Sequence, residues 1–384
     1  MTASFGLSLW ADIVVSMAFR LILLLGLITG PALAAGRQFR MGFTPFPYDQ
    51  TEEAVKETYR FLAGNADVVV HHMESVPWIE ALRGQAFSSA LDDNWKTRKG
   101  GTPKGAKVVL VLSPGRGTLA QYWGARENMP IPAGFNGKRF YDPMVMSAYL
   151  EYCRRAVEFF KPDYLGIGVE VNEIYLVSPR VWTWYAELHR YIYAEMKKRY
   201  PDLPIFASFT LHAMLDRAKP PRDRARMLNA YREIMPYNDI VPISFYPFIG
   251  GLSGEAERSL KWAVDQFGAE RKPFAVVETG EPADTVAVPR TKLTVRGTPE
   301  GQAAYYETLL SFASRHRFAF VTSFLYRDYD ALWLKIRDKS PGFFIAWRDC
   351  GLLDEGGNKR PAYSVWRRYF ENSLISPSTG RVKK

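Results

Sequence analysis

Two runs of this sequence end in acidic groups placed for paired chemistry. YLGIGVEV (164–171) is followed by Asn172 and Glu173, and PFAVVE (273–278) closes on Glu278. Each carboxylate ends an almost unbroken apolar stretch. Two carboxyl groups facing each other across a pocket suit cleavage of a glycosidic bond. One, protonated, donates to the leaving oxygen; the other, ionised, attacks the anomeric carbon or activates water. A gap of about 5–5.5 Å allows direct attack and retention of configuration, whereas about 6.5–9.5 Å leaves room for a water and inversion. The acid must have a raised pKa, through burial or an anionic neighbour. Glu170 lies two residues before Asn172 and would point the same way in an ideal strand. It is expected deeper in the barrel, with a bulge as the means of exchanging its role with Glu173. Glu281, in ETGEP, is the rival of Glu278.

The elements that would position these groups are legible as a repeat. Candidate strands are 39–44, 67–72, 107–112, 164–171, 203–210, 239–246, 273–278 and 318–326. Most are continuously apolar, as strands buried on both faces are. Helical patterns fall between them. Asp142-Pro143, Ser178-Pro179 and Thr298-Pro299 each pair a capping side chain with proline at the first helical position, and Thr51 precedes two glutamates. A helix through Leu260, Val264 and Phe267 is expected to stop at a Gly268 cap. Strict alternation of strand and helix predicts a single (β/α)8 TIM barrel, residues 35–375. A doubly wound sheet would carry a glycine-rich turn after its first strand, and here that turn is TPFPYD. The longest connections, roughly 113–142, 279–299 and 327–360, follow strands three, seven and eight, on the face where barrels carry their sites.

With the motifs in this order, the chain resembles glycoside hydrolase clan A, the retaining (β/α)8 glycosidases. Asn-Glu closing strand four and Glu closing strand seven carry the resemblance, together with ISFYPF in strand six and the closing stretch CGLLDEGGNKRPAYSVW. The resemblance implies that Glu173 is the acid/base, Glu278 the nucleophile, Asn172 the partner of the sugar 2-hydroxyl and Tyr246 a hydrogen-bond donor to the nucleophile. It also implies a β-linked glycan as substrate and no cofactor or metal. Three positions depart from the clan's pattern. His71-His72 stands where many members have Arg, Ser244 where they often have His, and Tyr326 where a Trp usually ends strand eight, Trp333 coming later.

Other side chains gather round this reading. His71 and His72 raise the question of a metal, but zinc needs three or four ligands and the chain has five His without an H-x-H. A substrate-binding or hydrogen-bonded role is expected for them instead. Arg116, in SPGRG after strand three, is a candidate for a sugar hydroxyl, and His212, after strand five, for the pocket wall. Of the aromatics in post-strand loops, among them Trp78, Trp95, Trp123, Tyr326, Trp333 and Trp347, about half are expected to face sugar.

Composition excludes more than it assigns. The 384 residues contain 50 Lys and Arg against 40 Asp and Glu, a net charge of +10, yet the basic residues are scattered and no nucleic-acid motif is present. Two Cys exclude a disulfide-stapled fold, and Cys153 falls on an inward helical stripe. Arg20, the apolar run from Leu21 to Thr29 and the small residues Ala32-Leu33-Ala34-Ala35 predict a signal peptide over 1–34, with Met17 as an alternative start. A polar basic tail follows at 376–384. The resulting expectation is an exported, periplasmic or extracellular, monomeric retaining glycosidase without a lasting membrane span. Its alternatives are a non-catalytic glycan-binding barrel and a transglycosylase of envelope polysaccharide metabolism.

Overall fold

The computed structural model describes residues 36–375. The expected signal peptide and basic tail lie outside them. Among the described residues no helix is long and apolar enough to cross a membrane.

From Arg37 onward the chain is a (β/α)8 barrel. Its parallel strands are β1 (Arg40–Phe43), β2 (Val68–Met73), β3 (Lys107–Leu112), β4 (Tyr164–Gly166), β5 (Ile205–Phe206), β6 (Phe209–Thr210), β7 (Val241–Phe245), β8 (Phe274–Thr279) and, after a small antiparallel hairpin of β9 (Val286–Ala287) and β10 (Thr294–Val295), β11 (Phe318–Ser323). The order around the sheet is β5-β4-β3-β2-β1-β11-β8-β7-β6. Its two ends, β5 and β6, are parts of one run broken at Ala207 and Ser208. This run pairs with β4 on one side and β7 on the other, so the ring closes. Tyr164 of β4 meets Phe320 of β11 across the interior, ring centroids 5.2 Å apart.

The alternation of each strand divides the core in two. Val68, Val70, Val109, Val111 and Val277 fill the barrel. Val69, Leu110 and Val276 face outward and pack against the helices in the larger cluster. The four helix starts form as their side chains dictate. Thr51 accepts from Ala54 N, Asp142 from Met144 N, Ser178 from Arg180 N and Thr298 from Gly301 N. Each such cap is worth about 1 kcal/mol. The helix Ala256–Phe267 ends as expected, but Gly268 is right-handed. A further 3-10 turn follows and Arg271, φ 55°, holds the left-handed position. Cys153 and Cys350 are both buried and free.

Two strands depart from regularity where they reach the pocket. In β7–β8 the register runs Ile243 to Val276, then Ser244 to Glu278, so Val277 is an extra, bulged residue. Strand four is far shorter than its apolar run. Its ladder ends at Gly166, Glu170 adopts φ 50° and ψ 41°, and a 3-10 turn covers Val171–Glu173.

Candidate active site

Both irregularities aim a carboxylate at the same space. Val277 faces the interior, so strict alternation would turn residue 278 outward against the helices. The bulge at Val277 reverses the alternation and brings Glu278 into the barrel mouth. Val169 likewise faces the interior, and the left-handed turn at Glu170 swings that side chain into the pocket too. A non-glycine residue in this region costs roughly 1–2 kcal/mol. Its backbone N–H donates to Ser208 Oγ at 3.0 Å, which helps hold the turn. Strain of this kind clusters at functional sites.

Arg116 enters the same pocket on the Glu170 side. It is thrust inward by the sharp loop SPGRG, where Gly115 has φ 117°, and a Cβ on Gly115 would lie 2.0 Å from Thr118 O. Arg116 Nη1 donates to Glu170 Oε2 at 2.6 Å, and Nη2 lies 3.7 Å from Glu74. Glu278 has different company. His72, whose face is fixed by period two with Val68 and Val70, brings Nε2 to 2.9 Å from Oε1, at an angle too bent for a straight hydrogen bond. Tyr246 OH donates to the other oxygen at 3.0 Å.

These surroundings drive the two acids apart. Burial raises the pKa of Glu170. Arg116 opposes the rise and the negative charges of Glu278 and Glu173 add to it, leaving the group at about 8. Glu278 is as deeply placed, with 9% exposure for each residue. Burial pushes its pKa up as well, but the charge and contact of His72, the charge of Arg116 and the Tyr246 hydrogen bond outweigh it. Its pKa therefore lies below the usual carboxylate value. The two carboxyls are thus shifted in opposite directions, the division that acid–base pairs require.

The remaining residues singled out from sequence fall into two groups. Glu173, Arg116, His212, Tyr246 and Trp333 line the same cavity of about 760 Å³ as Glu170 and Glu278. His72 meets it through its contact with Glu278. His212 Nδ1 accepts from Tyr246 N at 3.3 Å, and burial pushes its pKa down to about 3, so it is neutral. Asn172, His71 and Tyr326 do not line the pocket. The chain at Asn172 is a 3-10 turn and not an extended strand, so its amide turns to the barrel wall. There it accepts from Thr210 N at 2.8 Å and donates to Thr210 O at 3.2 Å. Both halves of the amide are thereby engaged, which corrects its expected role at a sugar hydroxyl. His71 alternates outward from His72, contacts Thr102 Oγ1 at 2.9 Å and packs on Phe160. Tyr326 is buried against Phe61, ring centroids 4.7 Å apart. Glu281 is buried outside the pocket lining, and burial pushes its pKa up to about 7.

Of the loop aromatics, Trp78, Trp95 and Trp123 are core, and Trp333 and Trp347 reach the cavity. Glu74 was not anticipated, although it ends the second apolar run two residues after His72, and so on the same face by period two. Phe46, Phe324 and Tyr329 also line the pocket and carried no signal beyond lying after strands.

Among solved structures, the chain resembles a GH5_18 protein of Bifidobacterium longum subsp. longum in complex with Manβ1-4GlcNAc. The TM-score is 0.59 at 14% identity, over 89% of this chain and 80% of that one. A fungal β-1,4-galactanase matches with TM-score 0.53 at 17% identity, over 86% and 94% of the two chains. The GH53 catalytic domain of Ignisphaera aggregans gives 0.53 at 14% identity, over 89% and 98%. No family model and no curated protein matches the sequence. At these identities the likeness is one of fold, and the fold is the (β/α)8 barrel of these glycoside hydrolases, as the resemblance to clan A implied.

Proposed function

We propose that the protein is a glycoside hydrolase that cleaves a β-linked glycoside with retention of configuration, Glu278 acting as nucleophile and Glu170 as acid/base. The observation that carries this is one pocket holding two buried carboxyls with opposite surroundings. Glu278 receives a hydrogen bond from Tyr246 on one oxygen and has His72 Nε2 2.9 Å from the other, while Glu170 is buried on Arg116. In the first step Glu278 attacks the anomeric carbon as Glu170 gives its proton to the leaving oxygen. The glycosyl–enzyme ester forms as the glycosidic bond breaks. In the second step Glu170, now ionised, takes a proton from water, which displaces Glu278. Arg116 supports the second state, because its charge favours an ionised Glu170. Tyr246 and His72 keep Glu278 ionised and orient it.

Glu173 remains a second candidate for the acid, because it faces the same cavity and was favoured by the motif. Geometry favours Glu170, whose carboxyl is buried and contacts Arg116. A fluorinated glycoside that traps the ester, followed by peptide mapping, tests the nucleophile: label on Glu278 supports the mechanism, and label elsewhere refutes it. Detection of the first-formed anomer by NMR tests retention, and product analysis separates hydrolysis from transfer to a second sugar. Export is proposed on the n-region, apolar core and small residues of 17–35. N-terminal sequencing of protein recovered from the cell exterior checks it, with cleavage after Ala34 as the expected result.

A further inference from the structure

Large apolar side chains left in water gather on the face that carries the pocket. Leu176 and Val177 follow β4, Leu293 lies in the connection after β8, and Leu334 and Phe344 lie in the connection after β11. Three of them belong to one raised piece beside the mouth. The β9–β10 hairpin, the helix Asp330–Ile336 and the 3-10 turn Gly342–Trp347 share a small apolar cluster of Val286, Val288, Trp333 and Ile345, with Val295, Ile336 and Phe343 packed against it. Residues that this cluster does not use are left outside. Leu334 is 62% exposed, Leu293 59% and Phe344 52%. Five exposed cations accompany them. Arg290, Lys292 and Arg296 lie on or beside the hairpin, and Arg337 and Lys339 just after the helix. Among the described residues none of the five forms an ion pair, whereas Lys335 on the same helix is held by Asp49 at 2.5 Å. The same stretches carry one exposed acid, Asp338.

Apolar side chains held in water among unpaired cations suit a boundary where an anionic layer lies over an apolar one. An acidic polysaccharide would meet the cations. It would leave the leucines in water, or strip water from its own hydroxyls against them. A bilayer with anionic headgroups satisfies both sets, because the apolar tips reach the acyl boundary while Lys and Arg stay at the phosphates. We propose that this raised piece docks on an anionic membrane surface, with Leu293, Leu334 and Phe344 entering the headgroup layer and Arg290, Lys292, Arg296, Arg337 and Lys339 meeting lipid phosphates. The contact is peripheral, since no described helix is long and apolar enough to cross a bilayer. Trp333, Ile336 and Phe344 also line the pocket, so docking brings its mouth to the lipid surface.

The test is co-sedimentation of the full chain with vesicles of phosphatidylcholine alone and of an equal mixture with phosphatidylglycerol. The apolar N-terminal run is common to every protein compared, so differences between wild type and variants report on the raised piece. Wild type is expected to bind the mixed vesicles more tightly than the neutral ones, and to lose that advantage in high salt. Lys292→Glu and Arg337→Glu should each weaken binding to the mixed vesicles by about fivefold or more. The double variant Leu293→Ser, Leu334→Ser should weaken it by at least about tenfold. Both leucines are exposed, so the fold does not depend on them. Equal binding of wild type and all variants overturns the proposal. Loss on charge reversal with none in the leucine variant also overturns it, because the surface is then a purely electrostatic one. Polygalacturonate, tried in parallel, separates the two: binding to it as tight as to the mixed vesicles and indifferent to the leucines assigns the surface to an acidic polysaccharide instead.

Discussion

The ends of strands four and seven solve one problem by opposite means. Each must turn a glutamate toward a space that regular alternation would deny it. At β8 the device is an extra residue, Val277, which leaves the strand extended and its ladder resuming at Glu278 and Thr279. At β4 the ladder is abandoned after Gly166, and Glu170 is turned by a left-handed backbone and tied to Ser208. The electrostatics differ as much. Glu278 accepts from Tyr246 on one oxygen and has the His72 ring beside the other, whereas Glu170 has a single guanidinium and is flanked by other acids. The same residue type at equal burial thus has its pKa lowered or raised according to what faces it.

The contrast can be broken from either side. The largest effect is expected from Glu278→Ala, which removes the attacking atom. Turnover should fall by roughly 10⁵-fold or more, with azide restoring part of it and giving the inverted glycosyl azide. Full activity in this variant would contradict the assignment. Glu170→Gln should cost about 10²–10⁴-fold on substrates with poor leaving groups and much less on activated aryl glycosides, which need no proton. The alkaline limb of kcat/KM, expected near pH 8 in the wild type, should disappear with it.

Tyr246→Phe sharpens the other side. A hydrogen bond to a charged group is worth about 1.5–3 kcal/mol, so kcat should fall about 10–100-fold. The sign of the pH shift is fixed. The Tyr246 hydroxyl lowers the pKa of Glu278, so its removal should move the acidic limb of the profile upward. An unmoved limb with lowered kcat would reduce Tyr246 to packing. The smallest effect is expected from Ser208→Ala, which leaves the buried Glu170 N–H without its acceptor. Denaturant unfolding should show a loss of about 1–2 kcal/mol, with activity reduced only several-fold.

Much of the barrel was legible because its strands are continuous apolar runs and its helices begin at Thr, Asp or Ser caps, often with proline behind them. The bulge and the turn were not. Nothing in FAVVET marks Val277 as the extra residue, since valine suits either face. A left-handed residue is read most readily from glycine or asparagine, and position 170 holds glutamate. The Asn-Glu motif gave Asn172 to the sugar and the acid to Glu173, and the run GVEVNE reads as one extended strand. The chain instead turns one residue past Val169 and spends Asn172 on the Thr210 backbone. His71 and His72 were inseparable until β2 fixed their alternation. Tyr326 lost its expected place because it packs on Phe61 of the first long helix, Glu52–Asn65, and not over the barrel mouth.

The central claim is that the proton for the leaving group comes from Glu170 and not from its neighbour Glu173. The most direct measurement compares Glu170→Ala and Glu173→Ala on an activated aryl β-glycoside with and without azide. The account predicts that azide accelerates Glu170→Ala and yields a glycosyl azide of retained configuration, while Glu173→Ala still forms the hydrolysis product and ignores azide. Azide rescue with retention in Glu173→Ala, and none in Glu170→Ala, would contradict it.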